Sequence, residues 1–159
     1  MGVVTYESEE TYAVPPARMF NALASDNLPS KIFPDVVKNV EVLEGNGGPG
    51  SIKKFTIVEG GQVKYAKHKI EEEDKVNLKL KYSVIEGNDL ADYKLEKISY
   101  EHQWRASPNG GSICKTICKL HAKGEVEVTE EQAKAGKEKV IGVVKGVEAY
   151  LQANLDVCN

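Results

Sequence analysis

Residues 129–154 read TEEQAKAGKEKVIGVVKGVEAYLQAN, the one stretch of this chain with a sustained 3.6-residue hydrophobic period. Ala133, Gly136, Val140, Val143, Val144, Val147, Tyr150 and Leu151 recur at spacings of three and four, so they share one stripe of a helix. Lys134, Lys137, Glu138, Lys145 and Gln152 fall mostly elsewhere around the wheel. Thr129-Glu130-Glu131-Gln132 has the pattern of a capping box, in which the threonine hydroxyl accepts from the third backbone N–H and Gln132 reaches back. Gly136, Gly142 and Gly146 lie inside this helix, and each costs about 1 kcal/mol relative to Ala. Either packing holds the helix against that cost, or the missing side chains leave room beside it.

Before this stretch the pattern is one of strands and turns. Val3–Tyr12 is rich in β-branched and aromatic residues and predicts a strand. Val14-Pro15-Pro16 stops it and opens a helix, with Ala17, Phe20, Leu23 and Ala24 as its apolar stripe. A second helical piece over Leu28–Val37 is punctuated by Pro29 and Pro34, so both helices are short. Strands are predicted at Val40–Glu44, Ile52–Glu59, Val63–Glu72, Val76–Glu86, Leu95–Ala106 and Ser112–Lys123. They are separated by EGNGGPGS (44–51), Gly60-Gly61, Glu73-Asp74-Lys75, a loop over Gly87–Asp92, and Ser107-Pro108-Asn109-Gly110-Gly111. Sequential hairpins make an antiparallel meander. Seven strands and one long amphipathic helix predict an α+β fold with the sheet curled around the helix.

Composition narrows the function. A chain of 159 residues is expected to form a single domain, 1–159, with a real core. A net charge of −3 and the absence of a Lys/Arg block give no basic stripe for nucleic acid. No apolar run is long enough to span a membrane, and the opening residues lack the charged-then-apolar pattern of a signal segment, so none is expected. Met1-Gly2 resembles a myristoylation start, but Tyr6 stands where Ser or Thr is needed. Cys114, Cys118 and Cys158 do not form a disulfide framework. The first two, four apart in one strand, lie roughly 13 Å from each other, beyond bridging distance. A cytoplasmic protein is expected.

Strand parity assigns the inward faces. Leu78, Leu80, Tyr82 and Val84 share one; Glu96, Ile98, Tyr100, His102 and Trp104 share the next. Lys53, Phe55 and Ile57 share a third, and Cys114, Thr116, Cys118 and Leu120 a fourth. The inner surface is therefore apolar but laced with Lys53, Glu96, Tyr82, Tyr100 and His102. A dry core does not bury such groups without partners, whereas a solvated cavity accommodates them.

The stretches EGNGGPGSIKK (44–54), YSVIEG (82–87), LEKISYE (95–101), PNGGSI (108–113), AKG (122–124), KAGKEK (134–139) and VEAYLQAN (147–154) resemble the class-ten pathogenesis-related proteins of plants, the major birch pollen allergen family. The resemblance covers essentially the whole chain. It implies the helix-grip fold: a seven-stranded curved sheet gripping a long C-terminal helix, two short helices in a V beneath, and a large hydrophobic cavity. It also implies allergenicity and a role in plant defence or development. One departure concerns Ala24–Ser30, about two residues shorter than usual at the junction of the short helices, which bears on cavity size.

The glycine-rich loop of Gly45, Asn46, Gly47, Gly48 and Gly50 lacks a Gly-Lys-Ser/Thr ending and runs into a strand, so it reads as a turn needing positive φ. Resemblance maps the residues proposed for a family ribonuclease activity onto Lys53, Glu96, Glu148 and Tyr150. RNA cleavage needs a base, an acid and a cation, but no histidine pair or basic groove accompanies them here. His68, His102 and His121 show no metal-ligand spacing, so neither a metal nor a cofactor is expected. Relatives that sense abscisic acid use an inward lysine, as Lys53 is, but need a Ser-Gly-Leu-Pro-Ala gate where Val58-Glu59-Gly60-Gly61-Gln62 stands. Alkaloid-forming cyclases of the fold need more acids and bases than Lys53 and Glu96.

The expected function is therefore a binding module, a carrier or reservoir for small amphipathic metabolites or hormones such as flavonoids, cytokinins and other phenolics. Phe55, Ile57, Leu80, Val84, Ile98, Val140 and Val144 are expected to bury the rings. Lys53, Tyr65, His68, Tyr82, Glu96, Tyr100 and His102 are expected to orient polar groups. Ribonuclease action and hormone-receptor signalling with phosphatase inhibition are the alternatives, and a monomer is expected ahead of a dimer.

Overall fold

The computed structural model describes residues 2–159. Its longest element is α4 (Glu130–Ala153), whose capping box forms with both halves in place. Gln132 N–H donates to Thr129 Oγ1 at 3.1 Å, and Thr129 N–H donates to Gln132 Oε1 at 3.0 Å. Around it run β1 (Val3–Tyr12), β2 (Val37–Glu44), β3 (Ile52–Glu59), β4 (Gln62–Asp74), β5 (Lys79–Gly87), β6 (Leu95–Ala106) and β7 (Ser112–Ala122). They form one antiparallel sheet in the order β1-β7-β6-β5-β4-β3-β2. The short helices are α1 (Pro16–Ala24), α2 (Pro29–Ile32) and α3 (Asn88–Tyr93).

Three departures from the sequence reading have local causes. The second helical piece shrinks to α2, one turn ended at Phe33 before Pro34, because a proline clashes with helical conformation in the residue ahead of it. The segment expected to be a loop at Gly87–Asp92 carries α3, a single turn held by burying Leu90, too short to show a period. Strand β5 begins at Lys79 instead of Val76 because Asp74 Oδ1 accepts from the amides of Val76 and Asn77, both at 3.0 Å. Leu78 then takes a left-handed φ of 54°.

Helix α4 lies on the inner face of the sheet. Val144, Val147 and Leu151 pack into a core with Tyr12, Phe20, Leu80 and Trp104. A second apolar cluster toward the other end joins Val84, Leu90, Leu95, Ile98, Cys118 and Leu120. Two polar contacts fasten the helix. Glu148 Oε2 accepts from the Ala13 amide at 2.6 Å. The Arg18 guanidinium of α1 donates to the carbonyls of Leu151, Asn154 and Val157 at 2.8–3.1 Å, satisfying acceptors that a helix C-terminus leaves unpaired.

The helix glycines separate into two kinds. A side chain at Gly146 would run into the Phe33 ring, with Cζ 2.5 Å from its Cβ, and one at Gly136 would press on the Tyr6 hydroxyl at 3.3 Å. These two let neighbours approach closely. A Cβ on Gly142 would meet nothing within 4 Å, so this glycine borders open space.

Candidate functional site

That open space is a pocket of about 430 Å³ between α1, α2, the strands β3–β5 and one flank of α4. Leu23, Ile32, Phe33, Ile57 and Val147 supply apolar wall, and Ser25, Lys53, Glu59, His68, Glu73, Tyr82 and Lys139 are its polar groups. The sheet presents it with a shelf of rings, because inward positions on adjacent strands stand side by side. Phe55 on β3 lies 4.3 Å from His68 on β4, and His68 stacks on Tyr82 of β5 at 5.1 Å and 9°. Tyr82 continues to Tyr100 at 5.2 Å and to His102 at 5.7 Å, both on β6.

The polar atoms behind the shelf are tied up. His102, only 1% exposed, has Nδ1 2.9 Å from Thr116 Oγ1 and Nε2 3.2 Å from the Tyr82 hydroxyl. Burial pushes its pKa down to about 4. Burial, and after it the Lys53 ammonium, push His68 to about 4 as well. Both rings are therefore neutral at pH 7. Desolvation raises the phenols of Tyr82 and Tyr100 well above their usual range, so they stay protonated. It lifts the buried thiols of Cys114 and Cys118 to about 11, which keeps them from acting as thiolates.

Lys53 is 5% exposed, and its Nζ lies 2.5 Å from Asp26 Oδ1. Among the described residues no other donor reaches that oxygen. Asp26 sits in the α1–α2 junction, where Ser25 Oγ accepts from the amides of Asn27 and Leu28 at 3.2 and 3.3 Å and fixes the turn. The glycine-rich loop backs onto it: a Cβ on Gly47, whose φ is +96°, would stand 3.3 Å from Asp26 Oδ2. The loop's amides are used internally. Gly47 N–H donates to Ser51 Oγ at 2.8 Å, Gly48 N–H to Asn46 Oδ1 at 3.0 Å, and Gly50 N–H to the Ile70 carbonyl at 2.7 Å. The loop is thus fastened to itself and to β4, and its glycine backbone leaves space beside Asp26.

At the mouth, Lys139 of α4 reaches Glu59 at 3.5 Å and Asp89 at 3.3 Å. The Lys139 ammonium, ahead of a hydrogen bond from Lys64, holds the Glu59 carboxyl below its usual range. Partial burial works against the charge on Lys139, but Asp89 and Glu59 outweigh it and raise its pKa.

Lys53, Phe55, Ile57, His68, Leu80 and Tyr82 of the expected site residues line this pocket. Val84, Ile98 and Tyr100 belong to the second apolar cluster, and His102 stands behind Tyr82. Four others need correction. Glu96 is exposed, because the β6–β7 register shifts between Leu95 and Lys97. That bulge breaks parity and turns Leu95 into the core in place of Glu96. Tyr65 pairs with Thr56 and alternates with inward His68. Its hydroxyl donates to Glu86 on the outer face at 2.9 Å. Val140 and Val144 pack into the core, while Lys139, Gly142 and Val143 face the pocket and Val147 touches both. The helix is rotated by about one residue from the expected facing.

The four ribonuclease candidates are not assembled. Lys53 is held by Asp26 and Glu148 by the Ala13 amide. Glu96 lies outside, and Tyr150 packs against the core. No hydrogen bond or ion pair among the described residues joins any two of them. Sequence reasoning missed Asp26, Glu59 and Lys139. Lys139 stands one i, i+4 step ahead of Val143 and Val147 of the predicted stripe, a signal that was available; Asp26 offered none.

A curved antiparallel sheet folded over one long helix, with a ring-lined pocket between them, defines a small-molecule-cavity type of protein. The chain belongs to the Pathogenesis-related protein Bet v 1 family, whose profile matches residues 1–154. It is 53% identical to the major allergen Pru av 1 of Prunus avium and 50% identical to the major allergen Mal d 1 of Malus domestica, each over the full length of both chains. The crystal structure of Ara h 8.0201 superposes with a TM-score of 0.86 at 35% identity, covering 96% of this chain and 100% of that one. No helix among the described residues is long and apolar enough to cross a membrane.

Proposed function

We propose that residues 1–159 form one cytoplasmic binding module that carries or stores small amphipathic plant metabolites, flavonoids, cytokinins and other phenolics foremost, in a defence-related setting. One observation carries this reading: the shelf Phe55–His68–Tyr82 floors a pocket of about 430 Å³. Rings stacked along the row turn their edges to the pocket, and a planar ligand meets such edges in edge-to-face contact at centroid separations of about 4.5–7 Å. The apolar wall then buries the faces, and the few polar groups fix orientation. Family membership supports the same reading.

The test is a titration with a hydrophobic fluorescent probe, N-phenyl-1-naphthylamine, followed by displacement with a flavonoid. Binding at low micromolar affinity, about −8 kcal/mol, and competitive displacement are expected. A well-folded sample that binds neither compound overturns the proposal. Where the probe binds and is displaced, native mass spectrometry of protein from its own tissue identifies the natural ligand.

A further inference from the structure

We propose that Asp26 sets the charge preference of this pocket: by neutralising Lys53 it tunes the site to uncharged ligands and discriminates against carboxylates and sulfonates. The inference rests on the ligand-binding reading above and deepens it.

An inward lysine in an apolar pocket invites the reading of an anchor for an acidic ligand. The geometry points the other way. The Lys53 ammonium is nearly inaccessible and already sits against the Asp26 carboxylate. The pocket's other groups do not restore a positive field. His68 is neutral at pH 7 and Tyr82 stays protonated. Lys139 is shared between Glu59 and Asp89 at the mouth. Glu73 adds a further carboxylate to the lining. Two ammonium groups thus face four carboxylates, Asp26 included. An anion arriving on the shelf would be stripped of water without gaining a free cation, which is unfavourable. Uncharged rings with hydroxyls meet no such penalty.

Asp26 is also placed for this role. Ser25 holds the turn that carries it, and Gly47 leaves room for its second oxygen. Without the carboxylate, Lys53 becomes a buried cation with no partner, and such a group takes up an anion readily because binding restores the pair.

The experiment uses two probes with one skeleton, uncharged N-phenyl-1-naphthylamine and anionic 8-anilinonaphthalene-1-sulfonate. The quantity read is the ratio of their dissociation constants, sulfonate over uncharged. In Asp26→Asn this ratio is expected to fall about tenfold, equivalent to about 1.4 kcal/mol. An unchanged ratio in folded Asp26→Asn overturns the proposal. The double variant Asp26→Asn/Lys53→Met, with neither charge, keeps the proposal falsifiable should the single variant not fold. Its ratio is expected to stay within about threefold of the wild type. A larger loss of sulfonate affinity would mean that Lys53 already serves anions despite Asp26, which overturns the proposal too. Wild-type protein that binds neither probe would instead refute the binding reading itself.

Discussion

Gly142 joins helix stability to ligand space, and Gly142→Leu separates the two. Its backbone is helical, without the positive φ of the loop glycines, so leucine enters without strain. A Cβ there meets nothing within 4 Å, and the position borders the 430 Å³ pocket. Four added carbons, each occupying roughly the 30 Å³ of one water, remove on the order of 100 Å³. That is about a quarter of the space. A three-ring flavonoid must then withdraw about one ring edge. At about 25 cal/mol per Å², some 60 Å² of lost apolar burial comes to about 1.5 kcal/mol, a tenfold weaker affinity. A single-ring phenol has room to move aside and is expected to lose less than about threefold. Stability should hold or rise by up to about 1 kcal/mol, from helix propensity. Calorimetric titration of both ligands into both proteins, with thermal melts alongside, reads all three quantities. Unchanged flavonoid affinity in a folded variant would refute the assignment of Gly142 to the ligand space. A destabilised variant would refute the claim that the space beside it is open.

The neighbouring glycine should respond with the opposite sign. Gly146→Ala places a Cβ about 2.5 Å from Phe33 Cζ and forces the ring off its seat, for a loss of about 1–3 kcal/mol in urea unfolding. A more stable Gly146→Ala would mean that the ring yields freely. Acid should weaken the fold through His102. Its pKa is about 4 in the folded chain against an ordinary 6.5, so the unfolded chain takes up a proton first as pH falls. The contribution is complete above about pH 6.5 and is lost between there and about pH 4, with about 2 kcal/mol gone by pH 5. His68 faces the pocket and is partly wetted, so it adds less. Urea unfolding at pH 7 and pH 5 should show a smaller difference for His102→Gln than for wild type; equal differences would remove His102 from the account.

Much of this architecture is legible along the chain because it is set by neighbours in sequence. The capping box at Thr129, the period of α4 and the turns rich in Gly, Asn and Pro act over a few residues, and each stands where local chemistry puts it. Strand parity is local too. It places Lys53 and Phe55 on one inner face, and Cys114, Thr116 and Cys118 on another, since successive side chains alternate whatever lies across the sheet. Parity fails where a partner strand intervenes: one extra residue at the β6–β7 bulge turns Glu96 out and Leu95 in. It is likewise silent on how far α4 rotates about its axis. With Val140, Val143 and Val144 all in the apolar stripe, either the Val140–Val144 side or the Val143 side, flanked by Lys139 and Gly142, can face the pocket, and the seating of Phe33 against Gly146 accompanies the second. The charge of the site is the property least visible in sequence. Lys53 announces a cation, but Asp26 is twenty-seven positions away in a short interhelical turn. Whether a buried charge is free or cancelled depends on distances of a few ångströms between remote segments, and only the tertiary structure fixes those.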